Sequence, residues 1–265
     1  MEFKKDFVLL IPYYNHYDGL VKSLKSVYYP PERFDTLIVD DGSDLPLDLP
    51  ALQANMRSLN IQLIRLPGNQ GIAKALNAGL THLHTRTDFK YIARLDCGDT
   101  CHPDRFTEQV KFLNRYPEIG LLGTWCRFTD TISGKSYVYK TKTHHEDILG
   151  EMHFKCSFIH PTVMFRRETI DTTGHYPENY IHTEDYAYFW KILMNFKGAV
   201  LPKEFVIIEF SDKNNSSKNY KQQLISRIKV VDLYGKKIWY KYAGLFLLQC
   251  RLLLPKFIIK VLKYH

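Results

Sequence analysis

Three pairs of acids could do chemistry in this chain of 265 residues: Asp40-Asp41 in LIVDDGSD, Asp96 and Asp99 in YIARLDCGDTCHP, and Glu184-Asp185 in HTEDYAYFW. Two neighbouring carboxylates can share a cation, hold hydroxyls or take up a proton. The middle pair raises the sharpest question. An apolar run ends on it, Cys97-Gly98 separates its acids, and a helix-starting Pro103 follows. Such a pair can serve a cation or simply cap the coming helix. Tyr14, Lys74 in NQGIAKALNAGL and His160 in IHPTVMFRR add an aromatic face, a point charge and a titratable ring.

These side chains need elements that bring them together. FVLLIP (7–12), DTLIVDD (35–41), NIQLIRL (60–66) and YIARLD (91–96) predict four strands. Helical spacing falls between them at 18–29, briefly at 51–58, at 70–84 and at 103–116. The alternation predicts an α/β fold, a mostly parallel Rossmann-like sheet with helices on both faces. Sites in such sheets lie beyond the carboxyl ends of the strands. Pro12-Tyr13-Tyr14-Asn15, Asp40-Asp41-Gly42-Ser43 and Asp96-Cys97-Gly98-Asp99 all fall there. In the second half, strands are expected at 119–130 and 135–140 around a Ser133-Gly134 turn, and at 160–165. A helix is expected at 182–195 and a pair of strands at 199–210. The expected organisation is a domain over 1–210 with halves 1–116 and 117–210, a linker at 211–219 and a helical tail at 220–265.

An apolar content of 45% allows a sizeable core. The cysteines (97, 101, 126, 156 and 250) are odd in number and form no C-x-x-C. Reduced thiols are expected, with neither a disulfide framework nor a zinc site. The first apolar run stops at Pro12, too short for a signal peptide, so a buried strand is expected there. The net charge of +8 is uneven: Lys203 to His265 carries thirteen Lys/Arg against four Asp/Glu. An anionic surface suits such a segment.

LLIPYYNHYDGLVKSLKSV, LIVDDGSD, NQGIAKALNAGL, YIARLDCGDTCHPDRF and TEDYAYFWKIL follow in an order and spacing that resembles the family 2 glycosyltransferases, over about residues 6–210. The resemblance implies a GT-A fold and an inverting transfer from a nucleotide sugar. The expected donor is a UDP-hexose or UDP-N-acetylhexosamine, and the expected acceptor is a hydroxyl of a growing surface glycan such as lipopolysaccharide or capsule. Pro12 and Tyr14 would line the donor site, with uracil stacked on Tyr14. Asp41 would accept from the base N–H, and Asp40 would brace the turn or touch the ribose. Lys74 would face the diphosphate as a point charge, with Arg94 as a further source of positive charge. Asp96 and Asp99 would hold Mg²⁺ or Mn²⁺ as a Lewis acid for the leaving diphosphate. Aligned on Pro103, Gly98 stands where the family usually has a metal-binding carboxylate. Asp99 could swing in as ligand; Asp96 could touch the donor within a weaker, watery metal shell; or metal dependence could be slight. Asp185 would deprotonate the acceptor hydroxyl, with Glu184 orienting it. His160 would meet the acceptor or the diphosphate, unless it is a buried structural histidine.

The tail, KKIWYKYAGLFLLQCRLLLPKFIIKVLKYH, is apolar, basic and aromatic. Its longest uncharged run, Tyr242 to Cys250, is too short to span a bilayer. An in-plane amphipathic segment is expected, with Trp239, Tyr240 and Phe246 at the interface and Lys/Arg against anionic lipid. A helix packed on the catalytic domain or on a second subunit is the alternative. The expected setting is cytoplasmic, peripheral on the inner membrane, with a lipid-linked glycan as acceptor and a homo-oligomer as an option. No nucleic acid is expected, since no groove helix or stacking motif accompanies the basic tail. A catalytically silent sugar-binding or scaffold protein is the reading that Gly98 keeps open. IPYYNHYDG is not the glycine-rich phosphate loop of a nucleotidyltransferase, and no G-x-G-x-x-G is present.

Overall fold

The computed structural model describes residues 3–210 and 219–254. Nearly all of the expected linker, and 255–265 of the expected tail, lie outside the described residues. β1 (Lys5–Tyr13), β2 (Phe34–Asp40), β3 (Ile61–Arg65) and β4 (Phe89–Arg94) are the four predicted strands. They pair in parallel in the order β3-β2-β1-β4. β1 feeds two cores: Phe7, Leu9 and Ile11 pack on one face, Val8 and Leu10 on the other. Burial on both faces explains its unbroken apolar run. α1 (Tyr17–Lys25) and α2 (Leu49–Asn55) cover the first face, and α3 (Ile72–His84) covers the second. α4 (Arg105–Arg115) returns to the first. Strand order reverses between β1 and β4, so a crevice opens beyond Tyr13 and Arg94.

α1 ends at Lys25 rather than at 29. Pro30 and Pro31 bias the preceding backbone away from helix, and the Tyr29 hydroxyl donates to Asp6 at 2.6 Å instead.

β5 (Thr100–Cys101), β6 (Ile119–Asp130), β7 (Ser136–Tyr139), β8 (Met164–Arg166) and β9 (Lys197–Phe210) extend the same sheet. Beyond β4 the order is β8-β6-β9-β5, and β7 folds back on β6. β8 is antiparallel to both neighbours while β9 is parallel to β6, so this half is mixed. The expected pair of strands at 199–210 is one strand. Its register passes from Thr124–Leu201 to Trp125–Glu204, so Pro202 and Lys203 bulge and the strand bends rather than ends. The expected strand at 160–165 opens as a 3₁₀ turn, His160–Thr162, started by Pro161.

α5 (His145–Glu151) and α6 (Glu168–Thr173) are too short for a helical period to declare itself in the sequence. α7 (Glu184–Leu193) is the predicted helix of the last acidic pair. α8 (Tyr220–Tyr234) and α9 (Ile238–Leu253) form the described part of the expected tail. Leu224, Val230 and Val231 of α8 and Leu248 of α9 join the core that holds Val8 and Leu10. All five cysteines are free.

Candidate active site

The loop after β2 is built around a close approach. Gly42 has φ +69°, and a Cβ there would lie 2.3 Å from the Gly68 backbone. Only glycine fits both demands. The contact brings Asp41 against the entry to α3, where its two oxygens accept from the Gln70 and Gly71 amides at 2.8 Å each. Asn15 ties the neighbouring loop on: its amide donates to Ser43 Oγ, and its side chain exchanges two 2.9 Å bonds with Asp44. Tyr14 and Lys74 stand exposed on either side, and Lys74 has no ion-pair partner among the described residues.

A cleft of about 790 Å³ opens there, lined by Pro12, Tyr14, Asp41, Lys74, Asp96, His160, Glu184 and Asp185 among others. Two expected donor contacts are absent from its walls. Asp40 is fully buried; it accepts from the Ser43 amide at 2.9 Å and from Arg65 at 2.8 Å. It braces the turn and does not reach ribose. Arg94 is also fully buried: it donates to Asp96 Oδ1 at 2.6 Å, to the Leu10 carbonyl and to His160 Nε2 at 3.3 Å. It is paired with Asp96 behind the cleft wall and does not line the cleft.

The question raised by the middle acids has a backbone answer. Gly98 has φ +99°, and its amide meets Ser23 Oγ at 2.9 Å and the Gly19 carbonyl at 3.2 Å. A side chain here would strain the turn, and its Cβ would crowd the His16 ring at 3.2 Å. Asp96 stays open to the cleft, its side chain 31% exposed. Asp99, expected as the swinging ligand, is buried; Ser23 Oγ donates to its main-chain carbonyl at 2.8 Å, and the residue lines a second, smaller pocket with Asp96 rather than the large cleft. Burial, then the Asp96 charge, pushes its carboxyl well above the usual carboxylate range. Among the described residues, no group of three His, Cys, Asp or Glu side chains is set to hold a metal ion.

The last acidic pair opens α7, where the helix dipole favours negative charge. Burial, then the neighbouring Asp185, raises Glu184 to about 7. Burial also raises Asp185 to about 6, and the Tyr186 amide and the Arg227 charge hold it from going higher. Asp185 lines the large cleft and also a smaller compartment of about 240 Å³ that continues from it. His160 is buried, and its Nε2 faces Arg94 and, at 3.1 Å, the Tyr176 hydroxyl. Arg94 can only donate, so Nε2 accepts and Nδ1 carries the proton. Burial and Arg94 push this imidazole well below its usual range, so it stays neutral. Its Nε2 is committed inside the protein, while the residue lines both the large cleft and a smaller pocket.

Several lining residues are not among those picked out from the sequence. Glu178, Tyr180 and His182 precede α7, and Gln223 and Arg227 come from α8. The Gln223 amide donates to the His182 carbonyl at 3.3 Å, holding a residue with φ +62°. The i, i+4 spacing of Gln223 and Arg227 is the only sequence signal for the pair.

A crevice at the sheet's switch point, with acids from both halves of the chain, defines an α/β transferase of GT-A type. The chain belongs to Glycosyl transferase family 2, whose model matches residues 8–174. An uncharacterized glycosyltransferase of Haemophilus influenzae is 31% identical over 59% of this chain and 56% of its own length. The chain therefore spans little more than half of that relative. The amylovoran biosynthesis glycosyltransferase AmsE of Erwinia amylovora is 28% identical over 71% of this chain and 69% of its own length. A UDP-Gal:alpha-D-GlcNAc-diphosphoundecaprenol beta-1,3-galactosyltransferase of Escherichia coli is 26% identical over 79% and 75%. Among solved structures, S. aureus TarS superposes with a TM-score of 0.68 at 18% identity, covering 91% of this chain and 69% of that one. TarS is also known in complex with UDP and with UDP-GlcNAc. The mannosyltransferase PcManGT of Pyrobaculum calidifontis, in complex with GDP-Man and Mn²⁺, gives 0.65 at 16% identity, covering 96% and 71%.

Proposed function

We propose that this chain transfers a hexose or N-acetylhexosamine from a UDP-sugar to a hydroxyl of a surface glycan, with inversion. The observation that carries the reading is Asp185, a carboxyl raised toward neutrality at the junction of the two compartments. The donor would occupy the larger cleft, whose volume suits a ligand of that size. Uracil would stack on Tyr14, Asp41 would read the base edge through its free lone pairs, and Lys74 would face the diphosphate. The acceptor would enter the smaller compartment. Asp185 takes the proton of its hydroxyl while that oxygen bonds to the anomeric carbon. The bond from that carbon to the diphosphate oxygen breaks on the opposite face, and UDP leaves with the electron pair. Glu184, beside the base, would hold an acceptor hydroxyl or orient Asp185.

The names of AmsE and of the E. coli galactosyltransferase support a surface-glycan product and a lipid-linked acceptor. The UDP complexes of TarS support the donor base. The residues present fit a divalent cation held mostly by substrate: Asp96 would give one carboxylate, and diphosphate oxygens and water the rest. Such an ion would neutralise charge on the leaving diphosphate.

The setting we propose is the cytoplasmic face of a membrane, reached through α9. No described helix is long and apolar enough to cross a bilayer. Trp239, Tyr242, Phe246 and Leu253 are 85%, 63%, 68% and 85% exposed. Their spacing sets them on one face of α9, opposite the buried Gly244 and Leu248. Tyr240, expected with them, instead packs against His153 and Phe154.

A panel of UDP- and GDP-sugars, assayed by released nucleotide with and without EDTA, tests the reaction. A UDP-sugar should turn over, and Asp185→Asn should cut the turnover about 10²–10⁴-fold while leaving UDP binding intact. No turnover with any donor, or full activity in Asp185→Asn, would overturn the reading.

A further inference from the structure

We infer that Arg227 binds an anionic group of the acceptor, a carboxylate or phosphate on the sugar that enters beside Asp185. The inference rests on the acceptor-side reading of the smaller compartment. Arg227 is half-buried on α8 and lines that compartment with Asp185. Its guanidinium has no hydrogen-bond or ion-pair partner among the described residues, although its charge is felt at Asp185, Tyr139 and Tyr186. Its donors are therefore free to take a bound oxyanion.

The acids around it do not fill the role. Asp96 is already paired with Arg94 at 2.6 Å. Asp99 lines the same compartment but makes no salt bridge to Arg227 among the described residues. Asp185 carries no salt bridge to Arg227 and must stay available for the acceptor's proton. The rest of the wall suits a sugar. Phe128, Tyr139, Phe158 and Tyr186 offer apolar faces, and Gln223 stands one turn before Arg227 on the same side of α8. The volume of about 240 Å³ has room for about one ring.

The donor's diphosphate is the other oxyanion at hand, but Arg227 does not line the larger cleft where Tyr14, Asp41 and Lys74 sit. The recognised anion therefore belongs to the acceptor. A guanidinium fork holds either a carboxylate or a phosphate in a bidentate grip.

The test is titration of the protein, saturated with UDP, with glucose, glucuronate and glucose 1-phosphate, read by calorimetry or NMR. At least one anionic sugar should bind about tenfold more tightly than glucose, the ratio of one charge-assisted contact. The tighter of the two identifies carboxylate or phosphate as the source. Arg227→Gln should erase the preference, Arg227→Lys should keep part of it, and UDP affinity should stay within about twofold in both. Equal binding of all three sugars to the unaltered protein would overturn the inference. So would an Arg227→Gln variant that keeps the preference, or that loses UDP affinity, which would assign Arg227 to the donor. Failure to bind UDP at all would instead strike the proposed function.

Discussion

Asp185 can act as a base only as its carboxylate, so its raised position sets a pH limit. Activity should fall as pH drops through about 6, where Asp185 takes up a proton. At pH 8, Asp185→Asn should cost about 10²–10⁴-fold in kcat. A flat profile from pH 5 to pH 8 would remove the base from the scheme. Glu184 carries a second consequence, for stability. Its carboxyl is raised from 4.5 to about 7, so in that window the folded chain holds a proton that the unfolded chain releases. Stability must then fall as pH rises through the window. Glu184→Gln removes the penalty: its Tm should exceed the parent's at pH 8, and the two should converge below about pH 4.5. A Tm difference independent of pH would show that burial of this charge is not the cause.

Elements position these groups through two glycine turns. At Gly42, left-handed backbone coincides with a backbone wall 2.3 Å from any Cβ. Gly42→Ala should cost at least about 2 kcal/mol in urea unfolding, strain and displacement together. Because the displaced strand-end loop carries Asp41, UDP affinity should fall with it. At Gly98 the strain is similar but the neighbour is a flexible ring, so Gly98→Ala should cost about 1–2 kcal/mol. Equal effects at the two sites would contradict the argument from the Gly68 wall. The strand ends themselves were legible as sequence, because three of the four apolar runs stop on polar clusters and parallel strands point them the same way. The bend in β9 was not. Pro202 reads as a break, and only the bulged pairing with β6 turns it into a bend.

At the scale of the whole molecule, the C-terminal helices serve two ends. α8 shares the core and lines the smaller compartment, while α9 turns an aromatic stripe outward, with Lys236 exposed just before it and Lys237 and Lys241 paired to Glu146 and Asp232. The full chain should float with vesicles containing phosphatidylglycerol and much less with phosphatidylcholine alone, and salt should weaken the binding. Replacing Trp239 and Phe246 together by serine should reduce it about tenfold or more, since each buries a large apolar face. Equal flotation of the variant would mean that another surface docks, and no flotation of the parent would mean that α9 covers a protein.

Local order in the chain was enough to foresee the parallel strands, the polar rim at their ends and the family, because apolar runs, turn glycines and paired acids are properties of neighbouring residues. It could not divide those acids by task. Asp40 points inward as a brace, Asp41 and Asp96 line the larger cleft, and Asp99 lines only the smaller compartment. That sorting depends on which partner stands opposite each side chain, as Arg65 does for Asp40 and Ser43 does for Asn15. Such partners are brought together only when distant strands and loops pack. Arg227 is the extreme case: nothing beside it in the chain is catalytic, and only the docking of α8 brings it to the compartment of Asp185.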